Sequence, residues 1–201
     1  MKLIIITGPS GSGKTTLSLK LREELRNSFV LSTDNYYKTG LLSFFLSKFI
    51  KSYFDKIISH DENLLKDDIN LILKNRCIDH YYKYDFKRRI KRKLFYRINK
   101  IDYLIIEGIF TLELLDFLSK YKYLLIRLNT NKKICEKRVF IRDKLERRKK
   151  NKNEDKEFNL GWNIFQAKEK KLSFNKNRKE LVFSSNPNIQ IILNEIFKLN
   201  L

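Results

Sequence analysis

The chain has 201 residues, 42% of them hydrophobic, and its 43 lysines and arginines against 23 acidic residues give a net charge of +20. That length and apolar content fit one domain, 1–201, with a buried core, and no run approaches the ~18 apolar residues of a helical membrane span. Cys77, Cys135, His60 and His80 fall at no metal-ligand spacing, so the cysteines read as reduced thiols of a cytoplasmic protein.

The first predicted element is the apolar strand Lys2–Thr7, which starts too close to the N-terminus for a signal peptide. It runs into Gly8, Pro9, Ser10, Gly11, Ser12, Gly13, Lys14 and Thr15, a complete G-x-x-x-x-G-K-[ST] P-loop. A helix follows, marked by Leu17, Leu21 and Leu25. The glycines let backbone N–H groups curl around phosphate oxygens, and the helix N-terminus adds its dipole to the same anion site. Gly8, Ser10, Gly11, Ser12, Gly13, Lys14, Thr15 and Thr16 are therefore the expected nucleotide-binding residues. Lys14 reaches the β- and γ-phosphates, and the Thr15 hydroxyl is a Mg²⁺ ligand.

Strands at Phe29–Ser32, Tyr103–Ile106, Tyr123–Leu128 and Leu181–Ser184 alternate with helices at Leu41–Phe54, Lys66–Lys74, Leu112–Lys120 and Lys132–Glu146, and a last helix starts at Asn188. This order predicts an α/β fold with a parallel sheet. The apolar Leu41–Ile50 run has helical spacing and reads as a core-facing or subunit-facing helix. Residues 143–157 hold almost no apolar side chains and read as a mobile charged loop or fraying helix end. The segment Asn159–Asn186 carries no recognisable role. Its Trp162 suits either a stacking position or a core position.

Ligands of open parallel sheets sit beyond the carboxyl ends of the strands. Asp34, just after the second strand, is thus expected beside the P-loop, as a base for an attacking hydroxyl or a Mg²⁺ ligand. The same position also suits an N-cap or Asx-turn. Glu107 ends an apolar strand in a Walker-B-like arrangement and would hold the metal through water, with Gly108 providing a tight turn. Arg138 and Arg142 share a helix face and continue into Arg147, Arg148, Lys149 and Lys150. Such a basic lid could stabilise a transferring phosphoryl group and exclude water, or could be a solvated face.

The ordered set of P-loop, Asp34-x-Tyr36-Tyr37-Lys38, Tyr84-Asp85-Phe86, Glu107-Gly108-Ile109 and Arg142-Asp143 with Glu146-Arg147 resembles the uridine kinase (uridine/cytidine kinase) branch of the phosphoribulokinase/uridine kinase family. The resemblance runs from residue 1 to about residue 150. It implies a P-loop kinase fold with a five-stranded parallel sheet, flanking helices and a mobile basic lid over residues 138–157. It also implies ATP, Mg²⁺ and γ-phosphate transfer to the 5′-hydroxyl of a small-molecule nucleoside, with a homo-oligomer as the expected assembly. Carried over residue by residue, Asp34 is the base and Tyr37 lines the acceptor pocket. Asp61, six residues before Asp67, binds ribose hydroxyls, Tyr84 contacts the pyrimidine, and Arg142 and Arg147 are lid arginines.

Three positions depart from the family pattern. Tyr82 replaces a proline, Arg89 a base-reading histidine, and Val139 a sugar-binding arginine beside which Arg138 stands. Arg89 and Arg138 are accordingly placed with the substrate-binding residues, and the acceptor stays open. Uridine or cytidine leads, with another riboside such as nicotinamide riboside, or a polynucleotide 5′-hydroxyl, as alternatives. A non-catalytic nucleotide-binding protein is the reading of a different class. The positive charge is spread along the chain with no nucleic-acid-binding motif, which speaks against nucleic acid as the main partner.

Overall fold

The computed structural model describes residues 1–145, 154–184 and 187–199. Its centre is a parallel five-stranded sheet of β1 (Lys2–Thr7), β2 (Ser28–Ser32), β5 (Tyr103–Glu107), β6 (Tyr123–Leu128) and β7 (Arg178–Phe183), in the order β2-β5-β1-β6-β7. β1 lies in the middle, and Ile4, Ile5 and Ile6 are wholly buried. Successive side chains of a strand point to opposite faces, so this continuous apolar run needs a helical layer on each side.

Both layers are present. Ile4 and Ile6 face Leu17 and Leu21 of α1 (Lys14–Glu24) and Ile192 and Ile196 of α7 (Ile189–Phe197). Leu3 and Ile5 face the other layer, where α3 (Glu62–Asn75) contributes Leu65, Ile69 and Ile72 and the short α4 (Leu115–Leu118) contributes Leu115 and Leu118. Each such fully buried aliphatic side chain is worth about 1.5–3 kcal/mol of transfer free energy. Lys2 clasps the two ends of the chain together, its Nζ donating to the Ile196 and Phe197 carbonyls at 2.8 and 3.0 Å.

The predicted strands stand, with β7 beginning three residues before its predicted start. The helices differ more. The Leu41–Phe54 prediction resolves into α2 (Leu41–Phe49), a turn with Ser52 at φ 49°, and a 3₁₀ turn at Tyr53–Asp55. The Leu112–Lys120 prediction is a 3₁₀ turn followed by α4. α2 is not core-facing: Ser43 is its buried residue, while Leu41, Leu42 and Phe49 are more than 70% exposed.

Two strands and one helix were not anticipated. β3 (Ile78–Asp85) and β4 (Ile90–Ile98) form an antiparallel hairpin apart from the main sheet. Its turn has no glycine: Asp85 Oδ1 accepts from the N–H groups of Lys87 and Arg88, and Arg89 takes the left-handed conformation at φ 55°. The segment read as a charged loop is partly helical. Asp143–Leu145 completes α5 (Lys132–Leu145), and residues 154–157 open α6 (Glu154–Glu169). Charged residues such as Glu and Lys are good helix formers, and Phe158, Trp162 and Phe165 give α6 an apolar face. Arg147, Arg148, Lys149 and Lys150, with Glu146, lie outside the described residues.

Candidate active site

The P-loop joins β1 to α1 at the carboxyl end of the sheet. Gly11 and Gly13 have φ of 80° and 101°, a region that side-chain-bearing residues rarely adopt. Gly11 also lies against the backbone carbonyl of Cys135 in α5, so closely that a Cβ would collide with it. Thr130 Oγ1 donates to the Ser12 carbonyl at 3.1 Å and Arg138 to the Gly11 carbonyl at 3.3 Å. The loop is therefore shaped by the segment after β6 as much as by its own sequence. Arg138, anticipated as a sugar contact, lies across the P-loop.

Lys14 is buried, and its ammonium donates to the Gly8 and Pro9 carbonyls at 2.9 and 3.0 Å. Burial pulls its pKa below the usual lysine value, and the carboxylates of Asp34 and Glu107 oppose that pull. Glu107, at the end of β5, is also buried. Burial and then the Asp34 charge push its pKa up, while Lys14, Ser32 and Thr15 act the other way. The Thr15 hydroxyl donates to Glu107 Oε2 at 3.2 Å.

Asp34 sits in the 3₁₀ turn Thr33–Tyr36 that continues β2, the neighbour of β5. Its Oδ1 is buried without a hydrogen-bond partner and packs over Gly108, where a Cβ would come within 3.1 Å. Thr15, Glu107 and this unpartnered oxygen are a hard-oxygen donor set that fits Mg²⁺, an ion commonly held by one or two carboxylates plus substrate phosphates. Among the described residues no cluster of three or more His, Cys, Asp or Glu side chains competes with it.

The acceptor-side residues fall into three places. Tyr37 and Tyr84 come together, ring centroids 5.1 Å apart, in an aromatic cluster with Phe54, Phe86 and Phe110. The Tyr37 hydroxyl donates to the Phe54 carbonyl, and burial pushes the pKa of Tyr84 up to about 12. Asp61 caps α3 through the Leu64 N–H and pairs with Lys91 of β4 at 3.1 Å. Asp67 is exposed on α3. Arg89 donates to Ser47 Oγ at 2.9 Å and covers the Phe54 ring, fastening the hairpin turn to α2.

A cavity of about 210 Å³ opens beside the P-loop, between α5 and α6. Pro9 and Ser10 of the P-loop, Asp55, Ile109, Arg142 of α5 and Trp162 of α6 are among the residues that line it. The Arg142 guanidinium is held at 2.9 Å by its neighbour Asp143. Arg147 lies outside the described residues. Asp55 and His60 were missed in the sequence, although Asp55 stands six residues before Asp61, the same spacing that was assigned to Asp61 and Asp67. His60 is buried, donates from Nε2 to the Thr33 carbonyl at 2.8 Å, and so braces the turn that carries Asp34. The i, i+4, i+7 spacing of Phe158, Trp162 and Phe165 was the signal for α6, hence for this cavity's outer wall.

A buried polar chain fixes the hairpin to this frame. The Tyr36 hydroxyl donates to Asp68 Oδ2 at 2.6 Å, and the His80 ring bridges Asp68 and Asp79 at 3.1 and 2.7 Å. The Tyr84 N–H donates to Asn35 Oδ1 beside Asp34. Truncating a member of such a buried network leaves the others unpaired, which is costly.

The AAA domain family matches residues 4–159, and the chain belongs to it. The chain is also similar to proteins named uridine kinase. It is 33% identical to that of Alkaliphilus metalliredigens over 54% of this chain and 52% of the relative. It is 37% identical to that of Borreliella burgdorferi over 54% of this chain and 51% of the relative. The match thus spans about half the length of these curated relatives. Among solved structures, shikimate kinase from Acinetobacter baumannii shares the fold, with a TM-score of 0.54 at 17% identity over 100% of this chain and 96% of the other. No helix among the described residues is long and apolar enough to cross a membrane.

Proposed function

We propose that the chain is an ATP-dependent kinase that moves a γ-phosphate to the 5′-hydroxyl of a small nucleoside, with uridine or cytidine as first candidates. The observation that carries this reading is the buried, unpartnered Asp34 oxygen beside Lys14 and Glu107, at the mouth of a complete P-loop. A carboxylate with a free acceptor at that position suits a base for an attacking hydroxyl as well as a metal ligand, and the acceptor-dependent assay below tells the two uses apart. The similarity to uridine kinases over half the chain supports the same class.

Lys14 leaves the Gly8 and Pro9 carbonyls and turns to the phosphates, where its charge offsets that on the transferring group. Thr15, Glu107 and Asp34 would hold Mg²⁺, which would neutralise charge on the bound phosphates. Asp34 accepts the proton of the attacking hydroxyl, and Arg142 of α5 turns to the transferred group, with Arg147, which lies outside the described residues, as the second arginine proposed there. The P-loop amides orient the donor, and the apolar residues of the mixed α5–α6 walls, Val139, Phe140, Phe158 and Phe165, keep water from taking the phosphate.

The test is ADP release with ATP and Mg²⁺ against uridine, cytidine, nicotinamide riboside and a 5′-hydroxyl RNA oligomer, using the chain and its Asp34→Asn variant. Release with a nucleoside, lowered about 10²–10⁴-fold by the substitution while ATP affinity holds, is the expected result. Unchanged turnover in the variant would remove Asp34 as the base. ATP binding with no acceptor-stimulated release would turn the reading to a nucleotide-binding protein. A riboside other than uridine is favoured as the second reading by Arg89, which is fastened to Ser47 and Phe54 where a base-reading histidine is usual.

A further inference from the structure

Sequence order scatters the positive charge, but the fold gathers part of it on the β3–β4 hairpin. Residues 86–101, which span its turn and second strand, hold eight lysines and arginines and no acidic residue. The hairpin stands apart from the main sheet as a two-stranded unit of its own.

Its two faces differ. Residues opposite each other in an antiparallel pair share a face, and successive residues alternate between faces. Ile78, His80 and Tyr84 are buried on the face that carries the Tyr36–Asp68–His80 chain and the Tyr37 ring. The other face sets Tyr81 across from Leu94 and Lys83 across from Arg92, and of these Tyr81, Lys83 and Arg92 are exposed. At the end away from the turn, the register shifts between the Ile78–Ile98 and His80–Phe95 pairs. Phe95 and Tyr96 stand there with 79% and 66% of their surface in solvent.

The cations around these rings are free to bind. Lys91 is held by Asp61, and Arg89 is fastened to Ser47 and Phe54. Lys83, Arg92 and Lys93 are exposed and make no ion pair among the described residues. The Lys93 ammonium lies 5.4 Å from the centre of the Phe95 ring, so ring and charge belong to one surface. None of Tyr81, Lys83, Arg92, Lys93, Phe95 and Tyr96 lines the cavity beside the P-loop.

We propose that this exposed surface of the hairpin binds single-stranded nucleic acid, with Phe95, Tyr96 and Tyr81 stacking on bases and Lys83, Arg92 and Lys93 meeting phosphates. A basic track interleaved with exposed rings is what such a strand requires, because its charge is periodic and every base offers a π-face. A second copy of the chain suits the surface poorly, since two such strands would set like charges against each other. A membrane-binding element separates its apolar residues from its cations, whereas here rings and cations are mixed. The binding needs neither ATP nor turnover, so it stands or falls apart from the kinase reading.

The experiment follows the anisotropy of labelled RNA and DNA single strands of about 12 nucleotides, with the duplex, heparin and phosphatidylserine vesicles as competitors. The full chain is expected to bind single strands with log K falling against log salt at a slope of about −2, as three phosphate contacts imply. Phe95→Ala with Tyr96→Ala should weaken binding about 10–100-fold and leave that slope in place. Phe95→Tyr with Tyr96→Phe, which keeps both rings, should restore it to within about threefold. Lys83→Gln, Arg92→Gln and Lys93→Gln together should flatten the slope toward zero. Lys120→Gln, Lys170→Gln and Lys176→Gln, an equal charge loss at other exposed positions, should change affinity less than about threefold. Melting curves verify that each variant folds. Absence of single-strand binding, indifference to the loss of both rings, an equal effect of the distant lysines, or stronger competition by duplex or vesicles than by single strands overturns the proposal.

Discussion

The two halves of the site are built in different ways. On the phosphate side, Lys14 and Thr15 open α1 after the P-loop that leaves β1, Asp34 lies in the turn that continues β2, and Glu107 ends β5, and these three are neighbouring strands of one buried sheet. On the acceptor side, the cavity is assembled from a 3₁₀ turn, the loop after β5, α5 and α6, and the two helices reach the P-loop and the sheet through side chains, Arg138 to the Gly11 carbonyl and Glu169 to Arg127 of β6. A sheet fixes the positions of its strand ends to within a hydrogen bond, so chemistry placed there has little room to wander. A cavity between helices and turns can exchange one carboxylate for another without disturbing the sheet. The contrast explains how the phosphate motifs stand complete while Tyr82, Arg89 and Val139 depart from the pattern on the acceptor side.

The comparison is broken most forcefully at Gly11. Gly11→Ala puts a Cβ at φ 80° against the Cys135 carbonyl, and strain plus overpacking should cost about 2–4 kcal/mol. Denaturant unfolding should show that loss together with weakened ATP binding. A silent substitution would mean that the P-loop is not clamped by α5.

The next effect lies on the acceptor side and has the opposite sign. Asp55 has its folded-state pKa raised from 3.8 to about 6. Between those values the folded chain holds more protons than the unfolded one, so stability falls as pH rises through that window. Asp55→Asn removes the penalty. It should raise stability by about 1–3 kcal/mol at pH 7–8, with the gain vanishing below about pH 4. Melting curves across that range check it, and a variant less stable at pH 8 would show that the carboxylate has a structural partner. The smallest effect is expected at Asp61. Asp61→Ala loses a cap and a partly exposed ion pair, about 1 kcal/mol.

The legibility of the sequence follows the same division. β1, the P-loop, Asp34 and Glu107 are readable because a strand end and a glycine loop are local events, encoded by contiguous residues. The sheet partners of β1 follow from apolar runs that must be covered on both faces. The hairpin was illegible for a physical reason. Ile78, His80, Tyr82 and Tyr84 alternate with exposed residues, but lysines and arginines crowd β4, and its turn uses Asp85 and Arg89 where glycine usually signals one. α6 was hidden by the charged stretch before it, although Phe158, Trp162 and Phe165 carried the period. Asp55 was passed over because Asp55, Asp61 and Asp67 repeat at six-residue intervals, so spacing alone does not choose between the two pairs, whereas in the fold Asp55 lies against Gly161, more than a hundred residues away.

The central position of β1 bears on how the molecule comes into being. Its partners β5 and β6 start at Tyr103 and Tyr123, and the P-loop is held from behind by Thr130, Cys135 and Arg138. Pairings so distant in sequence form slowly, since the loop between them must close first. A ribosome that has delivered the first hundred residues has made the phosphate-binding sequence but not the phosphate-binding loop. During that interval the most apolar strand of the chain has no neighbours, and it is the segment that a chaperone would be expected to hold.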